Sequence, residues 1–84
     1  MISYEEWNAL KKEPGTSREF CLKAEAESDA EKKSQLYLMA AVKASNAKKF
    51  HAAMSYVEQI LGSMERNYYW DYVRRDWKKS VENS

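Results

Sequence analysis

The sequence is poor in the residues that interrupt helices. Its 84 residues include two glycines and one proline, and a single cysteine. So few breakers exclude an architecture with many tight turns, such as a sheet of short strands, and the composition is not that of a disordered tail. One cysteine excludes a disulfide within the chain and favours a reducing compartment. We therefore expect a cytoplasmic helical domain.

Catalytic and metal-binding patterns are also missing from the sequence. His51 is the only histidine, and no second histidine or cysteine stands at a spacing that would complete a zinc site. Glycine-rich phosphate-binding loops are absent, and Glu25 and Glu27 do not suggest an acid–base pair. Cys21 is expected to be a small buried hydrophobic residue and His51 an exposed polar one. The sequence predicts a protein that is not an enzyme and that needs neither cofactor nor metal.

Neither a long apolar run nor a large net charge is present. Basic and acidic residues number 14 and 13, which gives a net charge of +1. No window approaches the roughly 20 apolar residues of a membrane span, and the opening MISYEEWNAL lacks the features of a signal peptide. The global charge predicts no nucleic-acid binding, so any basic surface must arise from the local arrangement of residues.

Helix start signals divide the first part of the chain into short segments. Three serine or threonine residues precede a glutamate by three positions, the pattern of a capping box: Ser3 with Glu6, Thr16 with Glu19, and Ser28 with Glu31. Pro14-Gly15 separates the first two helices, and we place a further break near Ser28-Asp29. Residues 1–28 are thus expected to form short N-terminal helices.

Residues 30–82 are predicted to form a three-helix core. The three helices cover Ala30 to Ser45, Phe50 to Leu61, and about Met64 to Val81 after a stop at Gly62-Ser63. Alanines on the first two of these helices allow them to approach closely as an antiparallel hairpin. We therefore predict an all-α single domain over residues 1–84, a small three- to five-helix bundle with a central antiparallel helical hairpin.

The stretch NYYWDYVRRDW, residues 67–77, holds five aromatic rings and two adjacent arginines. Helical spacing places one apolar stripe toward the core, namely Trp70, Val73, Trp77 and Val81. The remaining aromatic and basic side chains then face outward, and tyrosine and arginine are enriched at binding hot spots. The predicted partner-binding residues are Tyr68, Tyr72, Arg74, Arg75, Lys78 and Lys79.

Three interpretations of this outer face stay open from the residues alone. A protein partner, including a second copy of the chain as a homodimer, could use the tyrosines and arginines. Nucleic acid could be held by the four cations, joined by Lys48 and Lys49, with tyrosines stacking on bases. The face could also be simply solvated, since cations favour the carboxyl end of a helix.

The segment AKKFHAAMSYVEQILGSMERNYYWDYVRRDW resembles the small PerC-like and AraC-negative-regulator (ANR) group of enterobacterial and prophage proteins. That group has an aromatic residue before paired alanines, then an apolar helix and a tryptophan shortly before a double arginine. The matching positions are Phe50, Ala52-Ala53, Val57, Trp70 and Arg74-Arg75. The chain departs from the pattern at Tyr56, where the group has tryptophan, and at Lys78, where it has cysteine. The resemblance implies a small transcriptional regulator that binds a transcription factor or nucleoid protein, or helps one to occupy DNA.

Overall fold

Five α-helices make up the computed structural model, which describes residues 1–83. Their bounds are α1 Tyr4–Leu10, α2 Ser17–Ala26, α3 Ala30–Asn46, α4 Phe50–Val57 and α5 Ser63–Glu82. No strand occurs within the described range. The predicted all-α class and small helical bundle are therefore confirmed.

The predicted helix starts are set by local hydrogen bonds, with one difference. The capping boxes predicted for the first two helices both form. In the first, the Ser3 side chain accepts a hydrogen bond from the backbone N–H of Glu6, and the Glu6 side chain accepts one from the backbone N–H of Ser3. The third box was wrong. Asp29, one residue later, caps α3 by accepting a hydrogen bond from the backbone N–H of Lys32 at 3.0 Å. A carboxylate there also favours the positive end of the helix dipole.

Helix α4 is shorter than its apolar pattern predicts. It ends at Val57, whereas the sequence indicated a helix to Leu61. The backbone N–H groups of Gln59 and Ile60 bond three residues back, which tightens the chain into a turn. As a result Ile60 stays buried while Leu61 projects outward with 53% of its surface exposed.

The buried core joins residues from all five helices. Its fully buried larger side chains are Trp7, Val42, Val57 and Val73. Helices α3 and α4 pack against each other, and both carry buried alanines, among them Ala41, Ala44 and Ala53, as the predicted hairpin requires. Because Trp7 belongs to α1 and Ala24 to α2, the core extends beyond the expected 30–82 unit.

The buried face of α5 is rotated from the predicted stripe. Trp70 and Trp77 are only half-buried, and Val81 is 64% exposed. Tyr69, Tyr72, Val73 and Asp76 are buried instead. The indoles cover the edge of the core: Trp70 Nε1 donates to the carbonyl of Met54 at 3.2 Å, and Trp77 stacks on Phe50 at 5.2 Å between centroids.

Two smaller expectations have different outcomes. His51 is exposed as predicted, with its ring against the edge of Trp77 at 5.0 Å. Cys21 is only partly buried: it packs against the core, and its sulfur lies 4.0 Å from a carboxylate oxygen of Glu25.

The turn that ends α3 places a lysine in a left-handed backbone conformation. Lys48 has φ +63°, and the next residue, Lys49, closes the helix by donating its N–H to the carbonyl of Ala44 at 2.8 Å. This position in a helix stop usually holds glycine or asparagine, because a side chain with a Cβ crowds the backbone there.

Replacing Lys48 by glycine should therefore raise the free energy of unfolding by about 0.5–1 kcal/mol, the relief of strain less the added freedom of the unfolded chain. Chemical denaturation measures the change. Lys49→Gly is the matched control, since Lys49 has φ −93° and glycine relieves nothing there. A Lys48→Gly variant no more stable than wild type would contradict the assigned strain.

Candidate functional site

The carboxylate of Asp76 is the point at which α5 is fastened to the rest of the molecule. Its Oδ1 accepts hydrogen bonds from the Tyr4 hydroxyl at 2.6 Å and from Lys11 Nζ at 2.8 Å. Its Oδ2 accepts from Trp7 Nε1 at 2.9 Å and from the Ser45 hydroxyl at 2.6 Å. Three of these donors come from α1 and its C-cap and one from α3. The four bonds therefore fix both the position and the rotation of α5.

Sequence reasoning missed Asp76, which is not among the predicted core or contact residues. The available signal was its position seven residues after Tyr69 and three after Val73, on the same helix face. An aspartate on a buried face requires donors to offset its loss of hydration. Tyr4, Trp7 and Lys11 could supply them only if the first helix folded back onto the last.

At neutral pH, Asp76 is an ionised carboxylate and Tyr4 is a neutral phenol. Burial by itself raises the pKa of Asp76, but the hydrogen bonds from Lys11, Ser45, Tyr4 and Trp7 outweigh it, so that pKa lies below its ordinary 3.8. Burial and the bond to the carboxylate together raise the pKa of Tyr4 to about 12. A carboxylate facing neutral and cationic donors is the state that the geometry stabilises.

The chain before α1 completes the attachment through two tyrosines. Ile2 donates its N–H to the Tyr69 hydroxyl at 3.1 Å, and its carbonyl accepts a hydrogen bond from the Tyr72 hydroxyl at 2.9 Å. The Trp7 ring stacks near Tyr69 and meets Tyr72 edge-on, with centroids 6.0 and 5.6 Å apart. Tyr72 is therefore only 6% exposed. Its predicted place on the outer surface was wrong, because α1 covers it.

The outward side of α5 carries the remaining predicted contact residues. Tyr68 is 48% exposed, and four cations are exposed further along the helix: Arg74, Arg75, Lys78 and Lys79. We call these four residues the basic face. Helical geometry places them in two rows, one with Arg75 and Lys79 and the other with Arg74 and Lys78.

One row of the basic face is already engaged within the molecule. The guanidinium of Arg75 and the ammonium of Lys79 lie 5.2 and 4.8 Å from the centroid of the Tyr4 ring. Arg75 also pairs with Asp71 at 3.0 Å, in an exposed ion pair one helical turn apart. These contacts hold the two cations against the aromatic surface between α1 and α5.

The other row has no such engagement. The side chains of Arg74 and Lys78 form no hydrogen bond, ion pair or ring contact with any residue of the described range 1–83. Lys48, which the nucleic-acid interpretation added to the surface, lies elsewhere, beside a cleft of about 210 Å³ that Lys11 and Lys79 also line. The structure therefore brings Lys48 near Lys79 but does not place it in the row of Arg74 and Lys78.

The described residues form neither a cluster of metal-ligating side chains nor a membrane-spanning helix. Within residues 1–83, no three or more histidine, cysteine, aspartate or glutamate side chains come close enough to hold a metal ion. None of the five helices has both the length and the apolar character needed to cross a membrane.

The comparisons with known proteins give no relative for this chain. No protein-family model matches the sequence, and neither a curated protein nor a solved structure matches it significantly.

Removing the Asp76 side chain should severely destabilise the protein. Asp76→Ala leaves the buried indole N–H and hydroxyl groups without an acceptor and Lys11 without its counter-ion. We expect the free energy of unfolding to fall by about 3–5 kcal/mol, measured by chemical denaturation. Asp71→Ala, which removes an exposed carboxylate from the same helix, should cost about 1 kcal/mol or less. Equal losses in the two variants would contradict the anchoring role of Asp76.

The same carboxylate should give the protein an acid-dependent stability. Because the pKa of Asp76 is lower in the folded state than in the unfolded state, its contribution is complete above the ordinary 3.8 and is lost as pH falls through the folded-state pKa. The difference in free energy of unfolding between wild type and Asp76→Asn should therefore narrow below about pH 4. Denaturation curves over a pH series measure this difference, and a constant gap would refute the assignment.

Proposed function

We propose that this chain is a non-catalytic protein-binding domain whose contact surface is the outward side of α5, formed by Tyr68 and the basic face. The observation that carries the proposal is the pair Arg74 and Lys78, which are exposed and have no partner among the described residues. They stand on a helix whose rotation is fixed from behind by Asp76. Cations presented on a rigid element suit recognition of acidic groups.

A protein partner is favoured over nucleic acid by the chemistry around these cations. Tyr68 and Met64, about half and nearly two-thirds exposed, offer apolar area beside the charges, as protein interfaces do. The proposed partner presents carboxylates to the basic face and an apolar patch to Tyr68.

The finer proposal is a small bacterial or prophage regulator that acts through a transcription factor or a nucleoid protein. Its support is the resemblance at Phe50, Ala52-Ala53, Val57, Trp70 and Arg74-Arg75. The apolar members of that pattern are used in packing, with Phe50, Ala53 and Val57 buried. Only the double arginine is exposed. The two arginines are therefore the residues of the pattern that can contact a partner.

A pair of matched variants tests the surface. Arg74→Ala with Lys78→Ala should leave the fold intact and reduce capture of the partner from a native lysate by roughly tenfold or more, since hot-spot cations contribute about 1–2 kcal/mol each. Arg18→Ala with Lys32→Ala is the control, because both residues are exposed and the charge change is the same. Quantitative mass spectrometry of co-purifying proteins is the measurement, and equal losses in both variants would count against the basic face.

The alternative, nucleic-acid binding by the same helix, has its own signature. Binding to duplex DNA would weaken steeply with salt, by about 0.9 in log K per phosphate contact for each tenfold rise. Fluorescence anisotropy with a labelled duplex over a salt series measures this slope. Tight, steeply salt-dependent binding that Arg74→Ala with Lys78→Ala removes would replace the protein-partner proposal.

A further inference from the structure

A second surface of opposite character lies at the other end of α5. Six large hydrophobic side chains of the described residues are strongly exposed, and four of them are Met1, Leu61, Met64 and Tyr68. Met1 and Leu61 line one groove, together with Glu65 and Tyr69. Met64 and Tyr68 directly precede those last two residues on the helix. Two strongly exposed hydrophobic side chains thus share one groove, and shared exposure of this kind marks an interaction site more often than scattered exposure does.

The groove is held open by the fold itself. It has a volume of about 360 Å³ and runs between the first half of α3, the turn after α4 and the start of α5. Leu38, Ile60 and Leu61 supply its apolar lining. The backbone N–H of Leu61 donates to the Ser34 hydroxyl at 3.0 Å, which ties the turn to α3. A partner would therefore meet a preformed surface and spend little free energy on ordering it.

The charges around the groove select the occupant. Glu31 and Glu65 are among its lining residues, and no lysine or arginine of the described range lines it. The groove combines the exposed side chain of Leu61 with two carboxylates, which complements a segment whose apolar side chains are flanked by cations. We propose that this acidic groove binds an amphipathic helix of a partner protein, with leucine-like side chains against Leu61 and lysine or arginine beside Glu31 and Glu65.

This proposal does not rest on the function proposed for the basic face. The two surfaces share only the exposed apolar side chains Met64 and Tyr68, and their charged residues have opposite sign. A domain with both surfaces would contact acidic and basic segments at once, which joins two partners or two parts of one partner.

Two synthetic helical peptides with the same leucine pattern test the groove. In one peptide lysine fills the remaining positions, and in the other glutamate does. NMR titration of the isotope-labelled full chain should show the lysine peptide shifting the amide signals of Ser34, Leu61 and Glu65, while the glutamate peptide binds at least tenfold more weakly. Glu31→Gln with Glu65→Gln should remove the preference for lysine. Equal binding of both peptides, or shifts that map outside the groove, would overturn the proposal.

Matched leucine variants distinguish binding in the groove from nonspecific hydrophobic binding elsewhere on the surface. Leu61→Arg should lower the affinity for the lysine peptide by roughly tenfold or more, since the substitution removes an apolar contact and introduces a positive charge that repels the peptide's lysines. Leu22→Arg is the control, because Leu22 is 54% exposed, as Leu61 is at 53%, but does not line the groove. Arg74→Ala with Lys78→Ala should leave peptide binding unchanged. An equal effect of the two leucine variants would argue against the site.

A second copy of the chain is the other possible occupant of the groove. Sedimentation of the unliganded chain over a concentration series tests for it. A monomer is expected, with the groove open. A dimer that Leu61→Arg disperses and Leu22→Arg does not would mean that a second copy fills the groove, and would overturn the assignment to a separate partner.

Discussion

The structure depends on one buried carboxylate that accepts four hydrogen bonds. Asp76 draws Tyr4, Trp7 and Lys11 from one end of the chain and Ser45 from the middle onto a single point of α5. A buried charge is costly unless every lone pair is used, so the arrangement fixes geometry more strictly than an apolar contact would. Once Asp76 faces inward, Tyr69 and Tyr72 must follow and the adjacent cations must face outward. The buried contacts of Asp76 therefore determine which residues of α5 are exposed on the outer surface.

Opposite charge at the two ends of α5 follows from the way the helices are stacked. The first halves of α3 and α5 line the acidic groove, whereas the last residues of both line the cleft beside Lys48 and Lys79. The two helices therefore run in the same direction. Acidic residues favour helix N-termini and basic residues favour C-termini, so placements that stabilise the helices also put Glu31 and Glu65 in the groove and Lys79 beside the cleft. The same polarity supports both proposed contacts.

Local features were predictable from the sequence, and the rotation of α5 was not. The boxes at Ser3 and Thr16, the start of α5 after Gly62 and the alanine-rich hairpin each depend on residues close together in the chain or on one helical period. For α5, the stripe through Trp70 and Trp77 is more apolar than the stripe through Tyr69 and Asp76. Hydrophobic periodicity therefore placed the buried face of α5 on the wrong stripe. The donors that make Asp76 a buried residue lie 31 to 72 positions away. No window along the sequence contains that information, and the placement of Tyr72 was wrong for the same reason.

The interior network also ranks the cations of the basic face. Arg75 and Lys79 lie over the Tyr4 ring, whose hydroxyl donates to Asp76. A partner that pulled them outward would lose contacts of about 0.5–1 kcal/mol each. Arg74 and Lys78 have no contact of that kind to give up, so an acidic group can bind them without disturbing α1. Recognition should therefore begin at that row, while the row over Tyr4 supplies a fixed positive potential behind it. The proposed contact residues are thus separate from the residues that maintain the fold, although they are neighbours on one helix.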